Sequence, residues 1–129
     1  MDFSGLLILI VDDDQVYRTY LNSIVTKVLK AKSESFENPI IALDWLKKNT
    51  PDLILLDMEM PGLDGYSVLK KLRSAPHTSS IPVIPCTSLQ SKELIVRLSQ
   101  LKITDFIHKS NKSDMIVKKI GLALKNIIK

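Results

Sequence analysis

The chain has 129 residues, of which 45% are hydrophobic and 25% charged, and it carries a net charge of +4. This length and composition suit one ordinary globular domain, expected over residues 1–129, and exclude a disordered or disulfide-stapled chain. The single cysteine, Cys86, and the absence of a long apolar segment predict a reducing, cytoplasmic setting with no membrane partner.

Short apolar runs alternate along the chain with amphipathic segments. Apolar runs predict three strands buried on both faces, at residues 6–11, 52–57 and 82–86. A weaker pattern predicts a short strand at 33–36, and a last strand is expected at 104–108. Apolar residues at helical spacing predict helices at residues 17–28, 38–49, 66–73, 91–100 and 113–128. Asn38 is expected to cap the second helix, with Pro39 at its first position.

This alternation predicts an α/β fold, with a parallel sheet of five strands covered by helices on both faces. The expected arrangement is the doubly wound (βα)5, flavodoxin-like fold with strand order 2-1-3-4-5. In such sheets the functional site lies beyond the carboxyl ends of the strands, where the strand order reverses. Here that position lies between the first and third strands.

Polar side chains stand at the carboxyl ends of four predicted strands. Asp12 and Asp13 follow the first strand, Asp57 ends the third, Thr87 the fourth, and Lys109 follows the fifth. Three carboxylates so close together favour a bound cation, and oxygen ligands with room for water suit Mg²⁺. A lysine and a hydroxyl beside them can bind a phosphoryl group, and Asp57 is the natural nucleophile.

Each of these residues alone has a simpler interpretation. An acidic residue after a strand is often a helix cap, as is expected for Asp14. Thr87 has the same alternative role, and Lys109 alone is typical of a solvated side chain. The functional hypothesis depends on all of them meeting at one edge of the sheet.

Four motifs carry a family resemblance: ILIVDDD at 8–14, DLILLDMEMPGLDG at 52–65, PVIPCTS at 82–88 and DFIHK at 105–109. Together they resemble the receiver domains of bacterial response regulators, in particular the single-domain chemotaxis type. The resemblance implies a phosphoryl-accepting switch of a two-component phosphorelay, not an enzyme beyond its own phosphorylation and dephosphorylation. It also implies a sensor histidine kinase or phosphotransfer protein as donor, a downstream output protein or domain, and a monomer or weak dimer.

The resemblance further implies the ligands of a Mg²⁺ ion. Asp13 and Asp57 would bind the metal directly, with the backbone carbonyl of Glu59 as a third protein ligand. Asp12 would act mainly through a coordinated water. Asp57 would attack the phosphorus of a phosphohistidine.

The resemblance implies three switch residues as well. Lys109 would pair first with the carboxylate and then with the phosphoryl group, and Thr87 would move to bond that group. Phe106 would occupy the switch aromatic position and turn inward. The surface formed by helix 4, strand 5 and helix 5 would change as a result.

Two residues depart from the family pattern. Ser110 stands where proline usually follows the lysine, and the cost of a cis bond before a non-proline residue predicts a trans peptide there. Pro85 lies within a strand that should be central, although proline removes a hydrogen-bond donor from the sheet. A bend or an unpaired carbonyl on the neighbouring strand is expected just before Thr87.

One alternative is a Mg²⁺-dependent phosphatase or hydrolase with an aspartyl nucleophile. Such enzymes commonly place a general acid two residues after the nucleophile, and Glu59 lies at that position. No cap domain or substrate pocket is evident in the sequence. Turnover of a small phosphate ester would favour this alternative.

The other alternative is a basic nucleic-acid-binding module. The lysine pairs Lys47–Lys48, Lys70–Lys71 and Lys118–Lys119 lie within or at the ends of predicted helices, without interleaved aromatic residues. Solvated helix faces are the favoured interpretation, so no direct nucleic-acid partner is expected. A steep fall in DNA affinity with salt would support the alternative.

Overall fold

Strands and helices alternate along the chain as predicted. In a computed structural model, which describes residues 2–128, the strands are β1 (Leu7–Val11), β2 (Lys32–Phe36), β3 (Leu53–Asp57), β4 (Val83–Thr87) and β5 (Ile107–His108). The helices are α1 (Gln15–Ser23), α2 (Pro39–Trp45), α3 (Gly65–Ser74), α4 (Lys92–Ser99) and α5 (Ser113–Ile127), and a π-helical turn (Ile24–Val28) continues α1. All neighbouring strands pair in parallel, and their order is β2-β1-β3-β4-β5, which confirms the predicted flavodoxin-like fold.

Alternate residues of the central strands face opposite helical layers. Ile8 and Ile10 of β1 pack in a cluster with α1 and α5, whereas Leu9 and Val11 pack with residues of α2, α3 and α4. Each central strand is therefore covered on both faces. This double burial explains why these strands are continuous apolar runs in the sequence instead of alternating ones.

Short polar side chains set the beginnings of four helices. Each accepts a hydrogen bond from a backbone N–H of the first turn; they belong to Asp14, Asn38, Asp64 and Ser91. Asp14 and Asn38 therefore act as caps, as predicted. Ser91, and not Thr87, caps α4, so the simpler interpretation of Thr87 as a helix cap is wrong.

The fifth strand is shorter than the sequence pattern predicts. The prediction extended from 104 to 108, but β5 contains only Ile107 and His108, which pair with Cys86 and Thr87 of β4. The prediction was wrong for 104–106, because apolar periodicity reports burial and does not report a hydrogen-bonding partner.

Pro85 explains part of this shortening. Thr104 donates its N–H to the Val83 carbonyl at 3.0 Å, and Lys109 donates to the Thr87 carbonyl at 2.8 Å, so these alternate residues of β4 face β5. Pro85 lies between them on the same side and has no N–H to donate. On the opposite side, β4 pairs with β3 without interruption from Val83 to Cys86. The proline therefore weakens only the β5 side of the sheet.

The helices are those of a compact α/β layer structure. The longest, α5, has 15 residues. Within residues 2–128, none of the helices has the length and apolar content needed to cross a bilayer.

Candidate functional site

Three carboxylates meet beyond the carboxyl ends of β1 and β3. Asp12, Asp13 and Asp57 each offer an oxygen, and these oxygens lie within 4.8 Å of one another. Asp12 and Asp57 are each only 1% exposed, whereas Asp13 is open to solvent. The cluster thus lies where the strand order reverses, with one carboxylate at its entrance and two below the surface.

Lys109 reaches this cluster from the segment after β5. Its Nζ lies 3.1 Å from Asp12 Oδ2 and 3.2 Å from Asp57 Oδ1, so one ammonium bridges both buried carboxylates. Desolvation lowers the pKa of Lys109, but the charges of Asp57 and Asp12 outweigh it and leave that pKa above its ordinary value. Described residues 2–128 contain no cis peptide bond, so the trans bond predicted before Ser110 is confirmed.

Tyr17 of α1 packs against the same ammonium. Lys109 Nζ lies 4.9 Å from the centroid of the Tyr17 ring, within the range of a cation–π contact. The lysine is therefore held from two directions, by carboxylates and by an aromatic face. No signal in the sequence indicated this contact.

Asp57 is held in an environment that disfavours its charge. Burial and the neighbouring Asp12 raise the pKa of Asp57 to about 7. The backbone N–H of Glu59, which donates to Asp57 Oδ1 at 3.1 Å, and the charge of Lys109 act in the opposite direction. One lysine therefore does not fully compensate the two buried carboxylates.

The remaining oxygen of Asp57 is suited to contact a cation. Asp57 Oδ2 is buried and accepts no hydrogen bond from the described residues. A buried carboxylate oxygen without a partner is costly, and a cation next to it would remove the cost. Three carboxylates, one of them solvent-exposed, fit a hard divalent ion that keeps part of its water shell.

Thr87, at the end of β4, is buried and engaged by an acid on the neighbouring loop. Its Oγ1 donates to Glu59 Oε2 at 2.7 Å and accepts from the backbone N–H of Leu89 at 3.0 Å. Glu59 Oε1 accepts two further hydrogen bonds, from the N–H and the hydroxyl of Ser88, at 2.7 and 2.8 Å. The side chain of Glu59 therefore bridges the ends of β3 and β4, a contact that the sequence analysis missed.

Gly65 allows α3 to begin close to the backbone of Asp57. Its N–H donates to the Met58 carbonyl at 3.1 Å. A Cβ at this position would lie 2.5 Å from the Asp57 carbonyl oxygen and 2.5 Å from Met58 Cα. Only glycine fits between α3 and the end of β3.

Phe106 lies at a second, more apolar region. Its ring is half-buried, with Lys119 Nζ 4.8 Å from its centroid, and Lys119 also donates to the Phe106 carbonyl at 2.8 Å. Phe106 lines a groove of about 680 Å³ between α4 and β5, together with Leu89 and Val96, which are both more than half exposed. The structure thus places Phe106 on the predicted output face and not among the carboxylates.

The predicted site residues therefore divide into two groups: those at the acidic cluster, and Phe106 alone at the groove between α4 and β5. Asp12, Asp13, Asp57 and Lys109 form one cluster, and Thr87 and Glu59 border it. The two methionines beside Glu59, Met58 and Met60, are buried in the core. Asp64, also in this loop, caps α3 through the N–H of Ser67 and is not part of the cluster.

Two curated proteins illustrate the sequence similarity. The cyclic di-GMP phosphodiesterase response regulator RpfG of Xanthomonas campestris is 34% identical over 106 residues, which cover 81% of this chain and 28% of that protein. The response regulator PleD of Caulobacter vibrioides is 34% identical over 102 residues, which cover 79% of this chain and 22% of that protein. The chain thus spans less than a third of either relative.

Solved structures show the same fold. The signal receiver domain of a signal transduction histidine kinase from Syntrophus aciditrophicus superimposes with a TM-score of 0.83 at 30% identity, covering 94% of this chain and 91% of that one. The receiver domain of a DNA-binding response regulator from Colwellia psychrerythraea gives 0.85 at 28% identity, covering 93% and 98%. A family model, the response regulator receiver domain, matches residues 8–121. With this match added to the sheet order and the acidic cluster, the chain belongs to the response regulator receiver domain family.

Proposed function

We propose that Asp57 is the residue on which this receiver domain, a phosphoryl-accepting switch of two-component signalling, takes the phosphoryl group. The observation that supports this most directly is the bridge formed by Lys109 between Asp57 and Asp12, at 3.2 and 3.1 Å. It places a positive charge next to the carboxylate at the point where phosphoryl oxygens would arrive. Asp13 adds the third carboxylate of a cation site.

The proposed reaction is a phosphoryl transfer between two side chains. A carboxylate oxygen of Asp57 attacks the phosphorus of a phosphohistidine on the donor, the P–N bond breaks, and the imidazole leaves with a proton from solvent. Lys109 neutralises the phosphoryl oxygens as they approach. When bound, Mg²⁺ supplies further positive charge at these oxygens.

The proposed metal ligands are those of the cluster. Asp13 and Asp57 would hold Mg²⁺ directly, together with the backbone carbonyl of Glu59, and Asp12 would contact it through water. Asp57 Oδ2 is buried and has no hydrogen-bond partner among residues 2–128, which supports this assignment because a cation removes the cost of burying it.

Phosphorylation would then act on Thr87 and Phe106. A phosphoryl group brings a charge of about −1.5 to −2. It would bind the Thr87 hydroxyl and Lys109 better in one conformation than in the other, and Phe106 would turn inward in that conformation. Since differential contacts of about 3 kcal/mol move a two-state population more than a hundredfold, these few contacts suffice.

The proposed partners follow from this role. A sensor histidine kinase or phosphotransfer protein would donate the phosphoryl group, and an output protein or domain would bind the face of α4, β5 and α5. The exposed Leu89 and Val96 beside the groove support a protein partner on this face. Residues 1–129 would act as one domain, and its cytoplasmic location stays a prediction.

The geometry of Glu59 argues against the hydrolase alternative. Its carboxylate accepts three hydrogen bonds, from Thr87 and Ser88, which is the arrangement of an ionised acceptor without a proton to give. A general acid must instead carry a proton directed at the leaving group. We therefore propose that the domain catalyses no more than its own phosphorylation and dephosphorylation.

The test is incubation of the protein with acetyl phosphate and Mg²⁺, followed by intact mass measurement. One phosphoryl adduct is expected, and it is expected to be absent when EDTA removes the metal. Asp57→Asn should gain no adduct, whereas Asp44→Asn, at an exposed position on α2, should gain one as the wild type does. An adduct on Asp57→Asn would contradict the assignment.

A further inference from the structure

The Glu59 side chain accepts hydrogen bonds from donors at the end of β4. Its two carboxylate oxygens accept from the Thr87 hydroxyl, the Ser88 N–H and the Ser88 hydroxyl, at 2.7, 2.7 and 2.8 Å. Phosphoryl oxygens would be bound in the same way, by several hydrogen-bond donors that converge on one anion. The end of β4 therefore already holds an anion that belongs to the chain itself.

While the Thr87 hydroxyl donates to Glu59, it cannot donate to a second acceptor. A threonine hydroxyl has one proton to donate, and here that proton is committed to Glu59 Oε2. The lone pairs of the same oxygen accept from Leu89 N–H, which fixes the hydroxyl further. Thr87 is also fully buried, so its hydroxyl has no solvent-facing alternative. It cannot donate to a phosphoryl group until Glu59 releases it.

We propose that the Glu59 carboxylate is an internal competitor of the phosphoryl group for the Thr87 hydroxyl, and so a positioning residue that stabilises the unphosphorylated conformation. This inference rests on the proposed function of Asp57. Glu59 lies two residues from Asp57, and its backbone N–H donates to Asp57 Oδ1 at 3.1 Å. A phosphoryl group that approaches the Thr87 hydroxyl also approaches the Glu59 carboxylate, whose Oε2 lies 2.7 Å from that hydroxyl. Repulsion between the two negative charges then favours release of Thr87.

Ser88 provides a way to separate this contact from the charge of Glu59. Its exposed hydroxyl contributes one of the three hydrogen bonds, and its removal leaves both the carboxylate and Thr87 in place. A purely electrostatic role of Glu59 does not depend on that hydroxyl. A competing contact does, because a carboxylate held by fewer donors releases Thr87 more readily.

The experiment measures binding of beryllium fluoride, a tetrahedral phosphoryl mimic, by calorimetry at saturating Mg²⁺. The full chain is compared as wild type, Glu59→Ala, Glu59→Gln, Ser88→Ala and the double variant Glu59→Ala/Ser88→Ala. Loss of the carboxylate is expected to tighten binding about five- to tenfold, and Ser88→Ala about twofold. In the Glu59→Ala background, Ser88→Ala should change nothing, because the two residues act through one contact. Glu59→Gln, which keeps the shape but not the charge, should fall between wild type and Glu59→Ala.

The outcomes separate the two proposals. Wild-type protein that neither binds the mimic nor gains an adduct with acetyl phosphate contradicts the proposed function itself. If the wild type binds but Glu59→Ala binds no better, or Ser88→Ala has the same effect in both backgrounds, the competition is wrong. Tighter binding by Glu59→Ala with no effect of Ser88→Ala in either background shows a charge effect alone and also overturns it.

Discussion

The site edge, the end of the sheet where Asp12 follows β1 and Asp57 ends β3, differs sharply from the β5 edge along the side of the same sheet. β3 pairs over four residues with each of its neighbours, whereas β5 pairs over two residues with β4 only. The first region fixes the positions of buried charges. The second holds Phe106 beside an open apolar groove and is joined to the sheet by few hydrogen bonds.

This difference matches the role proposed for each region. Phosphoryl acceptance requires a nucleophile and a cation site at fixed distances, and long parallel ladders supply that rigidity. A readout surface has to exist in two arrangements of similar free energy, which a short, weakly paired strand allows. The comparison predicts that substitutions at the site edge have the larger effects on stability, negative where they disturb its packing and positive where they remove its buried charge. Substitutions at β5 should mainly change how readily this strand separates from the sheet.

The largest expected effect is at Gly65, which lies against the backbone of the site edge. Gly65→Ala introduces a Cβ 2.5 Å from two backbone atoms, so α3 or the end of β3 must move. We expect a loss of about 1–3 kcal/mol in the free energy of unfolding, measured by urea titration, with slower phosphorylation by acetyl phosphate. Gly121→Ala is the control, because its Cβ meets only Leu29 Cδ2, at 3.7 Å, and it should stabilise α5 slightly. Equal effects of the two substitutions would contradict a tightly packed site edge.

The next effect concerns the charge of the site edge and depends on pH. Burial and Asp12 raise the pKa of Asp57 from 3.8 to about 7, so the metal-free fold favours the protonated carboxyl. This contribution to stability is fully present below about pH 4 and is lost as the pH rises through 7. Asp57→Asn should therefore be more stable than the wild type by about 1–2 kcal/mol at pH 8 in EDTA, with the difference vanishing near pH 4.

Mg²⁺ and an exposed aspartate provide the controls for this measurement. Saturating Mg²⁺ at pH 8 should narrow the difference, because the metal stabilises the ionised wild-type cluster. Asp44→Asn, whose side chain is 80% exposed, should show no such pH dependence. A difference between Asp57→Asn and the wild type that stays the same from pH 4 to pH 8 would contradict the electrostatic strain described at the site edge.

The smallest expected effect is at the β5 edge. Pro85→Val restores an N–H on the side of β4 that faces β5, where Val83 and Thr87 already accept hydrogen bonds. We expect a gain of about 0.5–1 kcal/mol, the usual net value of one hydrogen bond, and slower amide exchange at Ile107 and His108. Exchange within β1 should not change. If exchange slowed equally in both strands, the β5 edge would not be the more weakly held region.

The fold and the carboxylate cluster were accessible from the sequence because both depend on strong local signals. Continuous apolar runs identify buried parallel strands, and residues at strand ends must meet at one edge. Asp12, Asp13, Asp57 and Lys109 could therefore be brought together without coordinates. The caps at Asp14 and Asn38 were equally accessible, since they depend on neighbouring residues alone.

The features that the sequence analysis missed depend on side-chain direction between elements distant in the chain. The bond from Thr87 to Glu59 joins residues 28 positions apart, and no pattern indicates which way the glutamate turns. The contact of Tyr17 with Lys109 is of the same kind. The true length of β5 was missed because it depends on the partner strand, which lacks a donor at Pro85.

Cys86 is a natural chemical probe of how often β4 opens to solvent. It is the only cysteine of the chain, it is 1% exposed, and it directly precedes Thr87. Burial raises the pKa of its thiol, so the reactive thiolate forms only when β4 opens to solvent. The labelling rate of the native protein therefore measures the opening free energy of the strand that carries the Thr87 hydroxyl, without any engineered probe.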